Sequence, residues 1–433
     1  MDHRNKKITL ITLGCPKNEV DSGVLAGELA RGGAEIVGDV EEADTILINT
    51  CGFIEEAKKE SIDAILRAVA LKKNGRDRKV FVWGCLAERY REVIEKEIPE
   101  VDGIFGVEPY EEMGRFLFGH SYEWNESAYG RRILSTPSHA SYVKIADGCD
   151  HGCTFCAIPR IKGKYRSRAV LHIMKEAQRL AERGVKELTL IAQDTTAYGS
   201  DFKDGTTLVT LLNALIPIER IRWIRIMYGH PAHLTDALMD LMSREEKICR
   251  YLDLPLQHIS DGILRAMGRG MSKRSIEDLL RTLRDLIPGL VLRTTFIVGF
   301  PGETDRMFRE LIEFVRENCF ERLGAFVFSP EEGTEAFHLK PTVPREVAEE
   351  RYRILMEVQQ DVSRSLNGDL ESKTIAVLVD GYDRDQDLYF GRTEGDGLDV
   401  DQTVWIRGAA VVGEIMNVRI EGSAAYDLMG SVI

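Results

Sequence analysis

The sequence predicts a mixed α/β protein with an N-terminal parallel-sheet α/β domain, a central partial (βα)6 barrel and a small C-terminal antiparallel β-barrel. Two patterns support this prediction. Up to about residue 365, short apolar runs alternate with helical patterns, which is typical of parallel sheets. From about residue 370, glycine-rich segments with strand-like alternation replace them, which is typical of small barrels. We expect domains over 1–125, 140–367 and 368–433, with a linker over 126–139.

The composition narrows the class of protein. The chain has 433 residues, too many for one ordinary core, and 44% of them are hydrophobic. Its formal net charge of −13 argues against broad, non-specific binding of nucleic acid. No apolar run approaches the roughly 20 residues that a membrane helix needs, so we expect a cytoplasmic protein with no membrane partner. In such a chain, eight cysteines suggest metal binding or catalysis more than disulfides.

In the N-terminal domain, three strand-like runs each end in a turn that carries a cysteine. They are Ile8–Leu13 before Cys15, Thr45–Ile48 before Cys51, and Val80–Trp83 before Cys85. These cysteines lie 36 and 34 residues apart, about the length of a βα unit with its crossover. Because the carboxyl ends of parallel strands share one edge, we expect the three thiols to converge there. The repeated context favours a three-cysteine cluster site, with buried, inert cysteines as the alternative. The remaining two, Cys249 and Cys319, are expected in the core.

The central domain alternates six strand-like runs with five helical patterns. The runs are Ser141–Ala146, Glu187–Ile191, Arg222–Met227, Tyr251–Leu256, Leu292–Val298 and Leu323–Phe328, and the helical patterns are Leu171–Arg183, Leu208–Leu215, Leu234–Met242, Lys273–Leu286 and Asp305–Glu317. Polar residues cluster just after the strands, where a barrel of this kind carries its functional groups. Among them, Gln193 and Gln257 are candidate contacts to a cofactor or substrate.

The strongest chemical signal is a C-x3-C-x2-C triplet, Cys149, Cys153 and Cys156, directly after the first of these strands. Three thiolates can hold three irons of a cubane cluster and leave the fourth iron without a protein ligand. An open iron can chelate S-adenosylmethionine, and an electron from the reduced cluster then breaks a carbon–sulfur bond to give a carbon radical. Phe155 is expected to pack against the adenine. A zinc site is the alternative, although zinc usually takes a fourth protein ligand.

The triplet resembles the signature of the radical S-adenosylmethionine superfamily. A second stretch, Phe296–Glu303, resembles the glycine-containing strand-end motif that lies near the adenine in that superfamily. The resemblance implies that Gly299 and Glu303 help to bind S-adenosylmethionine, and that the three cysteines of the triplet are the catalytic cluster ligands.

Three N-terminal stretches, Gly14–Ser22, Asn49–Cys51 and Gly84–Cys85, resemble motifs of the methylthiotransferase family. The order of domains also matches this family over nearly the whole chain, and its small C-terminal barrel is called TRAM. The resemblance implies two 4Fe–4S clusters, with Cys15, Cys51 and Cys85 as metal ligands of the second, and S-adenosylmethionine as both methyl donor and radical source. The net reaction replaces C–H by C–SCH3 and requires a sulfur donor and an electron donor such as a flavodoxin. Lys17 and Asn18 are expected to steady the second cluster.

Two branches of the family differ in substrate. One modifies the β-carbon of an aspartate in ribosomal protein S-twelve, and the other modifies an adenosine beside the anticodon in tRNA. Gln193–Gly199, Leu254–Ser260 and Ser329–Thr334 resemble the ribosomal-protein branch. We therefore expect the ribosomal protein as partner, with tRNA modification and a non-catalytic iron–sulfur electron carrier or scaffold as alternatives.

The charge of the small barrel agrees with the ribosomal-protein branch. Residues 371–433 include 12 acidic and 5 basic side chains. An acidic barrel attracts a basic ribosomal protein, whereas a barrel that grips tRNA presents lysines and arginines to phosphates. The alternative interpretation is that these acidic side chains are only a solvated surface that keeps the protein soluble. We expect the acidic TRAM barrel to contact the ribosomal protein, with Tyr389, Phe390 and Arg392 on its working face.

Overall fold

The computed structural model describes residues 6–72, 77–108, 110–118 and 125–433. The chain divides into two compact units. The first comprises Met1–Thr136, Tyr142–His151 and Cys156–Arg179, and the second comprises Pro137–Ser141, Gly152–Phe155 and Leu180–Ile433. The small C-terminal barrel thus groups with most of the central domain, whereas the start of the central domain groups with the N-terminal domain. The expected boundaries of three domains remain predictions.

The first unit contains a parallel sheet with helices between its strands. The strands are β1 (Lys7–Thr12), β2 (Glu35–Ile36), β3 (Thr45–Thr50), β4 (Lys79–Gly84) and β5 (Gly103–Ile104), and the helices are α1 (Pro16–Arg31), α2 (Glu55–Leu71), α3 (Cys85–Glu97) and α4 (Tyr110–Phe118). The strand order is β2-β1-β3-β4-β5. The three predicted strands correspond to β1, β3 and β4, while β2 and β5 have two residues each and were not predicted.

The centre of this sheet is β3, in which all six residues are buried. A central parallel strand is covered on both faces, so the middle of β3, Ile46, Leu47 and Ile48, is an unbroken apolar run rather than an alternating one. One face of α2 packs in the same core through Ala64, Ile65, Ala68 and Val69, which recur every three to four residues. This packing fixes the ends of the strands and therefore the edge at which the cysteine turns lie.

Around the cysteine triplet the chain forms short elements. They are β6 (Ala140–Lys144), β7 (Ala146–Asp147), α5 (Ile158–Lys162), β8 (Arg166–Ser167) and α6 (Val170–Glu182). The strand predicted over 141–146 is interrupted at Ile145, and β7 then pairs antiparallel with β8. The five-residue helix α5 was not predicted because it is too short to show a helical period.

The second unit contains most of a second sheet. Its strands are β9 (Glu187–Ile191), β10 (Trp223–Ile226), β11 (Ile248–Asp253), β12 (Val291–Val298) and β13 (Arg322–Val327), and its helices are α7 (Leu208–Leu215), α8 (Asp236–Arg244), α9 (Asp261–Ala266), α10 (Lys273–Leu286) and α11 (Asp305–Asn318). The six-stranded order is β13-β12-β11-β10-β9-β6, and the neighbouring strands from β9 to β13 pair in parallel. Strand β11 ends three residues earlier than predicted, before Pro255, because proline cannot donate a ladder hydrogen bond.

The chain continues through a long helix into a closed barrel. These elements are α12 (Arg345–Gly368), β14 (Thr374–Asp383), β15 (Leu388–Thr393), β16 (Thr403–Arg407), β17 (Ile415–Ser423) and β18 (Asp427–Val432). The barrel closes in the order β14-β15-β16-β18-β17. Its pairs are antiparallel except for β16 with β18, which is parallel. The last strand, β18, was not predicted, and closure leaves the barrel without an open edge.

Buried ion pairs connect the barrel to the rest of the second unit. Arg225 and Glu187 are both fully buried, with Nε 2.7 Å from Oε1. Arg392 lies 2.8 Å from Glu187 and 2.7 Å from Asp380. The expectation that Arg392 lies on the working face of the barrel is wrong, because its guanidinium is only 6% exposed and pairs inside the unit.

Two further acids of the barrel point inward in the same way. Asp396 lies 2.6 Å from Arg322, and Asp401 lies 3.3 Å from Arg293 and accepts a hydrogen bond from the Tyr251 hydroxyl at 2.8 Å. Both carboxylates are at most 3% exposed. Part of the acidic charge of the barrel is therefore used internally.

The two cysteines outside the motifs differ. Cys249 is fully buried on β11, which confirms the prediction of a core residue. Cys319 is exposed, so the same prediction for it is wrong. It ends α11 in a left-handed conformation with φ +47°, a position at which the chain leaves the helix towards solvent. Over the ranges that the structure describes, no helix is long and apolar enough to cross a membrane.

Candidate metal centres and cofactor site

In the first unit, three cysteines lie at one edge of the sheet. Cys15 follows β1, Cys51 follows β3, and Cys85 follows β4. Two of the turns approach each other closely, because a Cβ on Gly14 would lie 2.6 Å from Cβ and 2.8 Å from Sγ of Cys51. Gly14 has φ +94°, a conformation that glycine adopts without strain. The structure brings together the three thiols that the strand–turn–cysteine pattern singled out.

Burial controls the protonation of these thiols. The pKa of the Cys51 thiol is raised to about 11, mainly by burial and to a smaller extent by the neighbouring Cys15. Burial also raises the pKa of the Cys85 thiol to about 12, while the Lys162 ammonium opposes the shift and the other two cysteines add to it. Such thiols are protonated at neutral pH and lose their protons when a metal binds.

The donor set at this edge fits an iron–sulfur cluster. The turns that carry Cys15 and Cys51 meet at Gly14, and a Cβ on Gly52, the residue after Cys51, would lie 3.1 Å from the Cys85 carbonyl carbon, so the three cysteine-bearing turns are close to one another. Three thiolates suit a cubane cluster with one open iron, whereas a structural zinc site takes four protein ligands.

Side-chain amides and a hydroxyl tie the cysteine-bearing turns together. Asn18 Nδ2 donates to the Leu13 carbonyl at 2.8 Å and to the Thr50 carbonyl at 3.3 Å. Asn49 Nδ2 donates to the Asn18 carbonyl at 2.9 Å, and Thr50 Oγ1 donates to the Trp83 carbonyl at 2.6 Å. Asn18 therefore joins the ends of β1 and β3, which is the position from which it was expected to steady a cluster.

A buried ion network near Cys85 was not predicted. Lys162 Nζ is 3.4 Å from Asp21 Oδ2 and 3.5 Å from Asp147 Oδ2. Lys144 Nζ also contacts Asp21 and lies 2.9 Å from Asp147 Oδ2. All four side chains are at most 14% exposed. Two ammonium groups facing two carboxylates keep the network neutral, which offsets much of the cost of burying the charges. No local motif marks it, because its members lie up to 141 positions apart.

The cysteine triplet begins in the first unit. Cys149 is buried, and its N–H donates to the Gly163 carbonyl at 3.1 Å. Asp150 Oδ1 accepts a hydrogen bond from the Tyr165 N–H at 3.1 Å. Cys156 lies in the same unit, two residues before α5. Hydrogen bonds to the backbone at 163–165 therefore fix the start of this loop.

The middle of the loop belongs to the second unit and is held by the end of α9. Thr154 N–H donates to the Met267 carbonyl at 3.1 Å, and Thr154 Oγ1 donates to the Ala266 carbonyl at 2.7 Å. The Thr154 carbonyl accepts from the Ala336 N–H at 2.9 Å. Next along the chain, Phe155 packs in an apolar cluster that includes Ile263, Met267, Phe300 and Phe328.

The turn after β12 is enclosed by its neighbours. Gly299 has φ +76°, and a Cβ there would lie 2.4 Å from the Ala348 Cβ, so only glycine allows α12 to pack this closely. The Glu303 carboxylate is fully buried and accepts from the Gly299 N–H, with Arg351 NH1 3.3 Å away. Glu303 remains a predicted cofactor-binding residue, and its burial limits it to acting through the shape of this turn.

Gln193 and Gln257 both lie beyond the carboxyl ends of strands, two residues after β9 and four after β11. Gln257 has φ +70°, which is uncommon for a residue other than glycine. Its N–H donates to the Thr295 carbonyl at 2.8 Å, and its carbonyl accepts from the Ile297 N–H at 2.7 Å. Two strand-like hydrogen bonds thus impose the strained conformation, a feature often found at functional sites.

An ion pair after β9 was not predicted. His233 Nδ1 lies 2.7 Å from Oδ2 of the buried Asp194. Asp194 Oδ1 also accepts from Thr196 Oγ1 at 2.6 Å and from the Ala197 N–H at 3.2 Å. The hydrogen bond that the His233 ring donates to the Asp194 carboxylate raises the pKa of His233, against a smaller opposing effect of burial. The Gln-Asp sequence after β9 was visible, but its histidine partner is 39 residues away.

Three family descriptions match successive parts of the chain. Residues 7–106 match uncharacterized protein family UPF0004, residues 143–315 match the radical SAM superfamily, and residues 373–433 match the TRAM domain. The order is the one that the sequence motifs predicted.

Relatives match along the whole length. Proteins named ribosomal protein uS12 methylthiotransferase RimO from Clostridioides difficile and Chloroherpeton thalassium are each 44% identical, and the matches cover 99% and 100% of both chains. The protein of the same name from Pelobacter propionicus is 45% identical, over 99% of this chain and 98% of its own.

Solved structures resemble the chain at low sequence identity. The radical S-adenosylmethionine methyltransferase TsrM from Kitasatospora setae superposes with a TM-score of 0.55 at 13% identity, over 77% of this chain and 74% of its own. The cobalamin-dependent S-adenosylmethionine radical enzyme OxsB gives 0.54 at 12% identity, over 82% of this chain and 56% of its own. These likenesses concern the fold alone.

Proposed function

We infer that this chain, which belongs to the RimO family of ribosomal protein uS12 methylthiotransferases, transfers a methylthio group to ribosomal protein uS12 by radical S-adenosylmethionine chemistry. The observation that carries this conclusion is an identity of 42% to 45% with these relatives over 99% to 100% of the chain. The proposed target is the β-carbon of an aspartate, where C–H is replaced by C–SCH3.

In this proposal, Cys149, Cys153 and Cys156 hold the radical-generating 4Fe–4S cluster. A cluster with an open iron supplies one-electron cleavage of S-adenosylmethionine. Gln193 and Gln257 hydrogen-bond the cofactor or substrate beyond the strand ends, where barrels of this kind carry function. The strained backbone at Gln257 supports its part in this role.

Three further residues complete the proposed cofactor site. Phe155 packs against the adenine, and the apolar cluster around it supports this role. Gly299 shapes the turn that approaches the adenine, and Glu303 braces that turn through its buried carboxylate.

The cysteines of the first unit hold the second 4Fe–4S cluster in this proposal. Their convergence at one sheet edge and the burial of Cys51 and Cys85 support it. The net reaction needs a sulfur donor, and S-adenosylmethionine serves twice, as methyl donor and as radical source. It also needs an electron donor such as a flavodoxin. A ribosomal substrate implies that the protein works in the cytoplasm.

The hairpin between β14 and β15 is the part of the barrel that we propose to contact uS12. Asp385 and Asp387 are exposed at its tip, and Asp383 accepts hydrogen bonds from the N–H groups of the turn at 2.8 and 3.0 Å. Tyr382, 43% exposed, lies beside the Tyr389 ring, with centroids 4.9 Å apart. Asp380, Asp396 and Asp401 pair internally, whereas this hairpin places three aspartates within five residues, which makes it an acidic surface for a basic protein.

The test is a substrate competition. The enzyme is reconstituted without oxygen and given sulfide, reductant and S-adenosylmethionine, with uS12 and tRNA offered together. Mass spectrometry then locates any added methylthio group. We expect it on an aspartate of uS12. Addition to a tRNA adenosine would retain the radical chemistry and overturn the inferred substrate, and cleavage of S-adenosylmethionine without addition to either would overturn the transfer reaction.

A further inference from the structure

We propose that Arg269 is a positioning residue for the cysteine triplet: its guanidinium donates a hydrogen bond to the Cys153 sulfur and raises the reduction potential of a cluster bound there. This inference rests on the proposed role of Cys153 as a cluster ligand. No sequence motif singled out Arg269, and its place is visible only in the folded second unit.

The guanidinium joins the cysteine to a strand end. Arg269 Nη1 lies 3.5 Å from the Cys153 Sγ, within hydrogen-bonding range of a sulfur acceptor, and Nη2 donates to the Pro255 carbonyl at 2.7 Å. Arg269 is only 8% exposed. Because the planar fork is held at both ends, the donor that faces the sulfur is fixed in direction before any cluster binds.

The backbone around Arg269 is shaped for this approach. Gly268 and Gly270 flank it with φ +69° and +68°, a left-handed conformation that glycine adopts without strain. A Cβ on Gly268 would lie 2.5 Å from the Gly152 carbonyl oxygen. Only glycine at this position lets the turn pack against the residue before Cys153, and that packing brings the guanidinium to the sulfur.

Hydrogen bonds of Thr154 also join the loop that carries Cys153 to the turn that carries Arg269. The two hydrogen bonds that Thr154 donates, to the Met267 carbonyl at 3.1 Å and to the Ala266 carbonyl at 2.7 Å, connect the residue after Cys153 to the residues just before Arg269. The loop and the turn are thus fastened on both sides of the contact. The geometry is preformed rather than the chance position of a long side chain.

The sign of the effect follows from electrostatics. A cluster gains an electron on reduction, so a fixed positive charge and an N–H donor at a ligand sulfur stabilise the reduced state more than the oxidised one. Hydrogen bonds to the sulfurs and net charge are established determinants of cluster potential, and partners of metal ligands also orient those ligands. Arginine keeps its charge at any working pH. The expected consequence is easier reduction by the electron donor.

The experiment measures the midpoint potential of the triplet cluster by redox titration followed by electron paramagnetic resonance. The full chain is used with both clusters loaded, and again as Cys51→Ala to isolate one signal. In Arg269→Met, the reduced-to-oxidised ratio at the parent midpoint should fall about tenfold, equivalent to about 59 mV for one electron. Arg269→Lys keeps the positive charge and should lower the midpoint potential by less than Arg269→Met does. Arg265→Met, which removes an exposed charge from α9, is the control and should leave the midpoint in place.

An unchanged midpoint in iron-loaded Arg269→Met overturns the inference. If that variant does not load iron, Arg269→Gln decides, because it retains a donor but loses the charge: a negative shift supports the inference and an unshifted midpoint overturns it. The two hypotheses fail separately, since absence of methylthio transfer by the parent chain would overturn the proposed function while the comparison of midpoints still stands.

Discussion

The two three-cysteine sites of this chain are assembled differently. Cys149, Cys153 and Cys156 come from one loop of eight residues, whereas the other three cysteines come from the ends of three strands. The loop is held mostly by hydrogen bonds to backbone atoms and by one guanidinium. The distributed site is held by the side chains Asn18, Asn49 and Thr50. A local ligand set keeps its spacing through covalent connection, whereas a distributed set depends on the packing of a whole sheet.

The difference teaches where each site is vulnerable. Of the distributed cysteines, Cys51 and Cys85 are buried, and burial raises the pKa of both of these thiols. Two cysteines of the loop are only partly buried. Substitutions far from a cysteine in sequence should therefore impair the distributed site more than the loop.

The largest expected effect is that of Cys153→Ala, which tests the loop alone. Two thiolates do not hold a stable cubane, so formation of deoxyadenosine from S-adenosylmethionine should fall to background, as measured by liquid chromatography with mass spectrometry. Cys319→Ala, at an exposed cysteine, is the matched control and should keep full activity. Persistent cleavage in a folded Cys153→Ala chain would remove the basis for treating the loop as a cluster site.

The next effect separates the two sites. Cys51→Ala should lose about half of the bound iron and stop methylthio transfer, because the second cluster loses one of three ligands. Cleavage of S-adenosylmethionine should remain within about twofold of the parent, since the loop is unchanged. Iron analysis and product mass spectrometry on the same preparation check this. Loss of both activities in a folded variant would contradict separate roles.

A smaller effect is expected from removing the side-chain hydrogen bonds that join the turns of the distributed site. Asn18→Ala leaves buried carbonyls without their donor, which should lower the free energy of unfolding by about 1–3 kcal/mol. The iron content of the second cluster should fall by a larger factor than the rate of S-adenosylmethionine cleavage by the first cluster. Denaturant titration and iron analysis measure both. Asn318→Ala also removes an amide that donates to a carbonyl, at 2.9 Å, but far from either cysteine set in sequence. An equal loss of iron in both variants would argue against a special role for Asn18.

The smallest expected effect concerns neither cysteine set. Changing Asp383, Asp385 and Asp387 together to asparagine should lower kcat/KM for uS12 by about threefold to tenfold at low salt and less at high salt, because charge complementarity acts mainly on association. Uncoupled cleavage of S-adenosylmethionine should not change. The control neutralises three other exposed acids of the second unit, Asp240, Asp361 and Asp369. The same loss in the control would assign the effect to net charge.

Sequence patterns predicted what is local in this molecule. The bounds of α7 and α10, the strand β9 and the triplet all follow from short-range periodicity or spacing. The convergence of Cys15, Cys51 and Cys85 was also accessible, because strand ends of a parallel sheet share an edge. The buried partners of these sites could not be predicted from the sequence, since Arg269 is 116 positions from Cys153 and Lys162 is 141 positions from Asp21. Such pairings depend on tertiary packing and leave no local signal.

Composition and residue type do not say which charges the fold pairs internally or which cysteines it exposes. Composition counted twelve acids in the tail as a recognition surface, but Asp380, Asp396 and Asp401 pair with arginines inside the second unit. Net charge reports how many charges are present and not which are already paired. Cys319 was placed in the core because cysteine is usually buried, and the end of α11 overrides that tendency.

The buried pairs of Arg225 and Arg392 with Glu187 bear on how this architecture can be recombined. A terminal barrel looks like a cassette that could be exchanged between relatives to change the substrate. A barrel without an arginine at position 392 would leave part of the charge on Glu187 unpaired, and breaking a buried pair by removing one partner costs about 3–5 kcal/mol. A chimera made by cutting after α12 therefore has to retain this arginine or change Glu187 on β9 and Arg225 on β10 with it, so the barrel is best exchanged together with those strands.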